Sequence, residues 1–556
     1  MFKLIRDTGI RAQALKYLKP IKCERTLAAS TSNQEVVSAA DVVIVGGGIA
    51  GSNLLYQLAK RGVNAVLLER ATITSGTTWH TGGLVWSLRP SDLEVNLLRD
   101  SISVYSSLQN EVEDYAGWIN NGGMFISRSK TRTQEYMRLH TLGNAMGIKS
   151  EILDPNEAQK LFPLLDPSVF QMALYVPTDG TIDPTMACGA LVKAASKYGG
   201  KVYENCPILD IHYSHNALGN KEVTGVYTDK GIIKTKCVVN CGGVWGPRIA
   251  RFAGIPSLPL VPFKHAYVLC EPTPEIRNCP NIRDHDTNLY IKIQGETCAV
   301  GGYEGNPHML DQVPDNLQFH LYELDWDIFG VHLSSASSLC PKLGEVGIKS
   351  TICGPESFTP DHKPLLGEDP NLYGLYHNCG YNSAGMMFSA GCAIQMADWI
   401  ISGRPSLNMF TFDIRRFTPA QMSRAHWMRE SSHEAYVLNY SIVFPHDEKL
   451  AGRDASHDAL HQEVVYSLLL NEKGGVEADV TVSILDGGSG QLHEPIFKGR
   501  GYYVVTSGFN ANHTLAHLRR IIQTRKLRAN ITDVSKQLCI LSVQGPNRYI
   551  HFNKFI

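Results

Sequence analysis

Three glycines near the start of the chain are spaced as G-x-G-x-x-G, and an acidic residue follows them. The glycines are Gly46, Gly48 and Gly51, and the acid is Glu69. In this spacing the first glycine allows a tight turn, the second lets a pyrophosphate approach the backbone, and the third allows close helix packing. The acid would accept a bond from a ribose hydroxyl. The pattern predicts a dinucleotide site, and it does not separate NAD from FAD.

The residues around these glycines form the elements that such a site requires. Residues 41–45 are a short apolar run, typical of a central parallel strand that is buried on both faces. Residues 52–61 have helical spacing, and a second apolar run, 65–68, ends at Glu69. The helix N-terminus would supply amide donors and partial positive charge for phosphates. The order of strand, glycines, helix, strand and acid therefore predicts a βαβ dinucleotide fold.

A histidine, His80, follows the second strand in a loop of mostly small and polar residues, 75–83. Such a loop is suited to lie against a flat cofactor. By its chemistry alone, His80 could be a base, a ligand or a satisfied core histidine. Its neighbours in the sequence decide which of these is expected.

The segment Thr78-Trp-His-Thr-Gly-Gly83 resembles the flavin-attachment loop of the sarcosine and dimethylglycine dehydrogenase family. Residues 238–245 resemble a strand and glycine turn of that family, residues 354–367, with Gly354 and Pro355, resemble its late flavin-side loop, and residues 379–387 resemble a further flavin-side segment, all in the same order. The resemblance implies that FAD is the cofactor and that His80 carries it through the 8α-methyl carbon of the isoalloxazine. Within the family, the motifs look most like the sarcosine-oxidising members. The remaining residues expected to bind FAD are Arg70, Thr77, Thr78, Trp79, Gly82, Gly83, Trp245, Gly354, Gly380, Tyr381, Asn382, Ser383, Ala384, Gly385 and Met386.

Two further residues are expected to be catalytic. By the same resemblance, His265 and Tyr290 would line the substrate pocket. An imidazole titrates near neutrality, so His265 could keep the substrate amine unprotonated, and the hydroxyl of Tyr290 could orient the amine or carboxylate. Lys292, Arg89 and Lys363 are three candidate partners for the substrate carboxylate, and the sequence does not choose among them.

The expected fold class is α/β, with a Rossmann-type FAD-binding domain interleaved with a mixed β-sheet substrate domain over residues 41–404. A short central module is expected at 405–460. Residues 467–556 resemble part of a glycine-cleavage T-protein-like α+β domain, in which Asp479 would meet tetrahydrofolate. About ninety residues are too few to bury that domain's core alone. We therefore expect a fragment, and tetrahydrofolate only if the fragment forms a competent domain.

The composition excludes several other classes of protein. Over 556 residues, 43% hydrophobic and 19% charged residues are typical of a globular protein with more than one domain. A net charge of −1 gives no global basic field for nucleic acid, and no stretch is apolar enough for a membrane span. The 13 cysteines form no CxxC pair, which predicts buried reduced thiols and no metal site.

Residues 1–30 carry seven basic side chains against two acidic ones and resemble a mitochondrial transit peptide, with a solvated basic tail as the alternative. The expected protein is an FAD enzyme of the mitochondrial matrix that oxidises sarcosine to glycine. Formaldehyde or 5,10-methylenetetrahydrofolate would be the second product, and the resemblance implies electron-transferring flavoprotein as the partner. Two alternatives are open: a dimethylglycine dehydrogenase, or a catalytically silent relative similar to the pyruvate dehydrogenase phosphatase regulatory subunit.

Overall fold

The computed structural model describes residues 35–443, 464–470, 476–485, 501–506, 511–527, 529 and 531–533. The chain divides into two compact units, residues 1–452 and 453–556. The expected transit peptide at 1–30 lies outside the described residues.

The strands of the first unit are numbered here in chain order. They are β1 (Val42–Val45), β2 (Ala65–Leu68), β3 (Leu84–Val85), β4 (Trp118–Ile119), β5 (Gly123–Ser127), β6 (Glu151–Leu153), β7 (Met172–Val176), β8 (Gly180–Ile182), β9 (Lys201–Tyr203), β10 (Ile208–His215), β11 (Lys221–Thr228), β12 (Gly231–Lys234), β13 (Val238–Asn240), β14 (Val261–Cys270), β15 (Asn281–Asp284), β16 (Leu289–Gln294), β17 (Thr297–Gly302), β18 (Ile348–Phe358), β19 (Leu365–Glu368) and β20 (Leu375–Cys379).

The α-helices of the same unit are α1 (Ile49–Lys60), α2 (Asp92–Val112), α3 (Lys130–Ala145), α4 (Pro155–Leu161), α5 (Pro184–Lys197), α6 (Gly246–Phe252), α7 (Trp326–Leu339), α8 (Gly385–Ser402), α9 (Pro419–Met422) and α10 (Ala425–Val437). Short 3-10 helices include Thr78–His80 and Gly243–Trp245.

A six-stranded sheet carries the predicted dinucleotide motif. Its order is β19-β20-β13-β1-β2-β9, and every neighbouring pair is parallel except β19 and β20. All residues of β1 and β2 are buried, as expected of strands covered on both faces. Helix α1 packs on α5 and α8. It begins at Ile49, before the predicted start at Ser52, because the end of the glycine motif is already its first turn. The predicted Rossmann-type βαβ arrangement is confirmed.

An eight-stranded mixed sheet forms the second layer of the unit, in the order β18-β14-β17-β16-β15-β5-β7-β6. Strands β14 and β16 both pair with β17, and Tyr267 and Tyr290 each lie opposite Gly301. Directly opposed residues share one face of a sheet, and the missing side chain at Gly301 leaves room for both rings. This sheet therefore brings residues from distant parts of the sequence to one surface.

The segment around Gly354 corrects one expectation. The glycine and proline there were interpreted as a loop, but Gly354 lies within strand β18, opposite His265 of β14. Strand β18 is the edge of the sheet, where a residue such as Pro355 is tolerated because one side of the strand needs no ladder donor. Turn-forming residues therefore misled the prediction at this edge.

The second unit is described only in part. Strands β21 (Val464–Leu470), β22 (Val476–Leu485) and β23 (Gly501–Thr506) form an antiparallel sheet, and helix α11 spans Ala511–Thr524. Asp479 lies on β22, opposite Leu468. Ala478 and Val480 on the same strand are buried. In the part of the chain that the structure describes, no helix is long and apolar enough to cross a bilayer.

Candidate active site

The carboxyl ends of the six-stranded sheet open into a cavity of about 510 Å³, here called the outer cleft. Its volume is typical of a site for a cofactor-sized ligand, and the residues predicted for FAD contribute much of its lining. Those that line it are Gly46, Gly48, Glu69, Arg70, Thr77, Thr78, Trp245, Gly380, Tyr381, Asn382, Ser383, Gly385 and Met386. Of the others, Gly51 lies in the first turn of α1, and the Trp79 ring packs edge-on against His80 and Phe319.

The turn between β1 and α1 needs glycine at its first position. Gly46 has φ of +116°, and a Cβ there would lie 2.5 Å from the carbonyl oxygen of Cys241. The N–H of Ile49, in the first turn of α1, donates to Oγ1 of Thr78 over 3.1 Å. The histidine loop is thus bonded to the helix N-terminus, where backbone amides favour an anion such as a pyrophosphate.

Glu69 and Arg70 stand at the end of β2, beside the outer cleft. The Glu69 carboxylate accepts the N–H of Gly47 at 2.6 Å and that of Ala71 at 2.9 Å. Burial raises the pKa of this carboxyl. The Arg70 guanidinium lies 4.0 Å from the centre of the Trp245 ring. The predicted ribose acceptor therefore borders the cleft, with its carboxylate bonded to the glycine loop.

The turn that opens α8 is strained. Asn382 and Ser383 have φ of 51° and 67°, the left-handed region that residues with a Cβ rarely adopt. The Asn382 side chain stabilises the turn, because its Oδ1 accepts the N–H of Thr359 and its Nδ2 donates to the carbonyl of Gly380, each at 2.8 Å. The turn directs the N-terminus of a long helix at the cleft, which suits an anionic group.

His80 is a neutral, buried nitrogen base. Burial lowers the pKa of the imidazole to about 4, so the ring is uncharged at physiological pH. Its Nε2 is buried and has no hydrogen-bond partner among the described residues. A Cβ at Gly354 would lie 2.3 Å from the ring, so that glycine makes room for it. An uncharged imidazole nitrogen with no partner is chemically able to act as a nucleophile.

His80 lines a second, smaller cavity of about 40 Å³, here called the inner cavity. The outer cleft and the inner cavity share part of their lining, including Thr81, Asn382, Ser383 and Met386, so they adjoin. The further residues of the inner cavity are Gly82, Gly83, Leu84, Trp86, Arg89, His265, Tyr267, Tyr290, Tyr303, Glu356, Ala384, Met387, Asn439 and Tyr440.

The two residues expected to be catalytic meet in the inner cavity. Nε2 of His265 lies 3.2 Å from the hydroxyl of Tyr290, and its Nδ1 lies 3.1 Å from the hydroxyl of Tyr436. The ring of Tyr303 stacks on His265 with centres 4.9 Å apart. Burial raises the pKa of all three tyrosines well above its ordinary value, so their hydroxyls keep their protons.

Of the three candidate carboxylate partners, Arg89 alone lines the inner cavity. Lys363 donates to buried Glu94 at 2.5 Å, whereas Nε of Arg89 is 4.0 Å from the other Glu94 oxygen. Burial alone would raise the pKa of Glu94, but the Lys363 and Arg89 charges hold it below its ordinary value. The buried Lys292 ammonium lies near Gly83 and does not line either cavity. The expectations for Lys292 and Lys363 are therefore not supported.

Several residues of the inner site were missed from the sequence, among them Tyr303 and Glu356 of the eight-stranded sheet region and two tyrosines from a later segment. Tyr436, on α10, and Tyr440, just after it, come from the segment expected to be a central module. Tyr436 meets His265, and Tyr440 packs against His285 and Tyr303, only because the chain returns to the eight-stranded sheet. Nothing in their local sequence signals this. Tyr267 was detectable, since it stands two residues after His265 on the same strand.

Comparison with known proteins agrees with this architecture. Residues 41–399 match the family model FAD dependent oxidoreductase, residues 402–456 its central domain, and residues 455–549 the GCVT N-terminal domain. Mitochondrial sarcosine dehydrogenase of Mus musculus is 39% identical over 92% of this chain and 68% of its own length. The Homo sapiens protein of that name is also 39% identical, over 94% and 69%. The chain belongs to the sarcosine and dimethylglycine dehydrogenase family.

As a member of this family, the chain is an FAD-dependent oxidoreductase that acts on CH–NH donors. The solved structure of L-proline dehydrogenase from P. horikoshii has a TM-score of 0.62 and 26% identity, covering 69% of this chain and 98% of that one. The described residues suit the cofactor: the outer cleft offers a helix N-terminus, a glycine turn and the buried His80 nitrogen beside a smaller cavity.

Proposed function

We propose that this protein oxidises sarcosine, with FAD in the outer cleft joined covalently to His80 and the substrate in the inner cavity. The observation that carries the proposal is the buried, uncharged His80 nitrogen, which has no partner among the described residues and belongs to the inner cavity, next in the sequence to Thr81, which lines both cavities. FAD, when bound, supplies a hydride acceptor next to the substrate. Loss of hydride from the N-methyl group leaves an iminium, and water adds to it and breaks the C–N bond, which gives glycine and formaldehyde.

The inner cavity suits a small zwitterion. Arg89 supplies the cation for the substrate carboxylate, because Lys363 already neutralises Glu94. Nε of Arg89, the nitrogen that faces Glu94, has no hydrogen-bond partner among the described residues. A guanidinium binds a carboxylate with two parallel bonds, which fixes the orientation of a small ligand.

His265 and Tyr290 handle the amine. An amine gives up hydride only when its nitrogen lone pair is free, so the ammonium form must lose a proton in the cavity. Nε2 of His265 accepts that proton, either directly or through the Tyr290 hydroxyl at 3.2 Å. Tyr290 also holds the amine in place through its hydroxyl, which is protonated at neutral pH.

Three further assignments rest on the family. We propose that electrons leave through electron-transferring flavoprotein. We place the protein in the mitochondrial matrix, since the sarcosine dehydrogenases that it resembles are named as mitochondrial. If the second unit forms a competent folate domain, Asp479 on β22 meets tetrahydrofolate, and the one-carbon unit leaves as 5,10-methylenetetrahydrofolate.

The proposal is tested on the purified full chain. Yellow colour that stays with the acid-precipitated protein, and anaerobic bleaching by sarcosine faster than by dimethylglycine, are the expected results. Faster bleaching by dimethylglycine would favour the dimethylglycine dehydrogenase alternative. Covalent flavin that neither amine bleaches would favour the catalytically silent relative. Flavin that separates fully from the acid-precipitated protein would contradict attachment at His80.

A further inference from the structure

A chain of hydrogen-bonding groups leads away from the inner cavity through His265. Tyr436 lies between His265 and Glu304, because its hydroxyl is 3.1 Å from Nδ1 of the imidazole and 2.5 Å from Oε2 of the carboxylate. The other oxygen of Glu304 lies 3.5 Å from Nε2 of His332 on α7. His265, Tyr436, Glu304 and His332 are all buried. The proton transfer proposed for His265 and Tyr290 does not itself involve Glu304 or Tyr436.

The charge of Glu304 sets the direction of each bond in this chain. Burial alone would raise the pKa of Glu304, but the His332 imidazole 3.5 Å away and the nearby His265 hold it below its ordinary value, so the group is a carboxylate at neutral pH. A carboxylate only accepts hydrogen bonds. The Tyr436 hydroxyl, whose own pKa is raised by burial, therefore donates its single proton to Glu304.

Because the single hydroxyl proton of Tyr436 is donated to Glu304, the Tyr436 oxygen can only accept a hydrogen bond from His265. Nδ1 of the imidazole must then carry hydrogen, and Nε2 is left with a free lone pair. Nε2 is the nitrogen that faces the Tyr290 hydroxyl in the inner cavity. The buried network thus selects one of the two neutral forms of the ring, the form that presents a base to the substrate.

We propose that Glu304, acting through Tyr436, is a positioning residue that fixes the Nδ1–H tautomer of His265 and stabilises the imidazolium formed during the reaction. The second part of this inference, stabilisation of the imidazolium, rests on the proposed function. An N–H bond of the substrate ammonium breaks, its electron pair stays on the amine nitrogen, and the proton forms an N–H bond at Nε2. The negative charge of Glu304 then compensates the positive charge of His265 across a single hydroxyl.

Other groups that face His265 must be considered as sources of the same effect. Glu356 on β18 is an acid that lines the inner cavity, and its charge acts on His80. It makes no direct bond to His265 among the described residues, whereas Tyr436 does. Among the described residues, the titratable and charged groups that line the inner cavity with His265 or belong to its hydrogen-bonded chain are Tyr267, Tyr290, Tyr303, Tyr436, Tyr440, Glu304, Glu356, His80, His332 and Arg89.

The tautomer is measured first, in the resting holoprotein without substrate. Ring-nitrogen NMR of protein labelled with ¹⁵N-histidine distinguishes Nδ1–H from Nε2–H, and the His265→Gln variant identifies the signal. We expect Nδ1–H in the wild type. In Tyr436→Phe the acceptor for Nδ1 is gone, so we expect the Nε2–H form to appear, whereas Glu356→Gln should leave the tautomer unchanged. A wild-type ring that carries its proton on Nε2 would overturn the positioning role.

Flavin reduction by sarcosine is measured next, across pH, in Glu304→Gln and Tyr436→Phe. We expect the rate at neutral pH to fall about 100-fold in each. Without the Glu304 charge the imidazolium is less stable, so the acid limb of the Glu304→Gln profile should move down by about one pH unit. Tyr105→Phe, which removes a buried hydrogen-bonded hydroxyl outside both cavities, is the control and should keep the wild-type profile.

The two proposals fail separately. If sarcosine does not reduce the wild-type flavin, the proposed function is wrong, and the tautomer signal of the resting protein still decides the positioning role. If sarcosine does reduce it, but both variants keep the wild-type tautomer and acid limb, the role of Glu304 is wrong while the function stands. A slower rate with an unchanged acid limb in Glu304→Gln would also count against stabilisation of the imidazolium.

Discussion

The residues that line the outer cleft come mostly in runs of neighbouring positions that include several glycines, whereas many residues that line the inner cavity are single positions on separate strands and helices. Gly46 and Gly48 follow β1 directly, and the turn at Asn382 opens α8. The inner cavity instead joins His80, Arg89 and His265 with residues after α10. A site at which glycines let the backbone approach the ligand tolerates substitution of most nearby side chains, while ligand binding in a site made of side chains depends on each of them. Substitutions should therefore act differently in the two cavities.

The largest effect is expected where the cavities adjoin. His80→Ala should remove all acid-resistant flavin, because His265, which is bonded to Tyr436, is the only other histidine among the described residues that lines either cavity. The measurement is the visible spectrum of the protein after acid precipitation. His212→Ala, a change at a half-exposed histidine on β10, is the matched control and should retain full colour. Colour that persists in His80→Ala would place the attachment elsewhere.

The second-largest effect is expected for the ion pair between Lys363 and Glu94. In Lys363→Met, the one cation that buried Glu94 keeps among the described residues is Arg89, 4.0 Å away, so the free energy of unfolding should fall by about 3 kcal/mol at pH 7. Glu94 has a folded pKa below its ordinary 4.5, so its ion pair stabilises the fold above pH 4.5 and loses that contribution as the pH falls further.

Urea unfolding at pH 7 and near pH 3 checks this expectation for Lys363→Met. The difference between the variant and the wild type should shrink at the lower pH. A difference that is the same at both pH values would mean that Glu94 is not its source. The same variant should also raise KM for sarcosine, since Arg89 is then drawn toward Glu94.

A smaller effect is expected for Arg89 itself. Arg89→Ala should lower kcat/KM for sarcosine by roughly 30-fold, about 2 kcal/mol, as for the loss of a charge-assisted bond. The kcat/KM for N-methylethylamine, which has no carboxylate, should change little in this variant. Arg99→Ala, on the exposed face of α2, serves as the control. Equal losses for both amines would show that Arg89 supports the cavity without binding a carboxylate.

The smallest effect tests how closely the backbone must approach His80. Gly354→Ala would place a methyl group 2.3 Å from the imidazole, so the ring or the strand must shift, at about 1–2 kcal/mol. We expect a lower Tm and a smaller fraction of acid-resistant flavin. Gly330→Ala, in a helix with open space around it, should leave both unchanged or slightly improved. An unchanged flavin fraction in Gly354→Ala would mean that the ring has more room than described.

The same contrast explains what the sequence could predict. The βαβ unit was predictable because strand, glycines, helix and acid lie within one short segment, and local spacing decides their positions. The meeting of His265 with Tyr290 needed the family resemblance, since the strands β14 and β16 are joined only through β17. The approach of Tyr436 was not predictable, because its partners depend on tertiary packing of a distant helix. Gly354 was misinterpreted because an edge strand tolerates residues that usually mark turns.

The return of the chain after α10 has a consequence for protein engineering. The carbonyl of Tyr440 accepts from Arg132 at 2.7 Å, and the N–H of Val443 donates to Glu135 at 3.0 Å, so this stretch is fastened to α3. A recombinant oxidoreductase that ends at residue 404 would keep the six-stranded sheet and lose Asn439 and Tyr440, which line the inner cavity. A minimal active domain should therefore extend at least to Val443, and chimeras that exchange the central segment would exchange part of the catalytic surface with it.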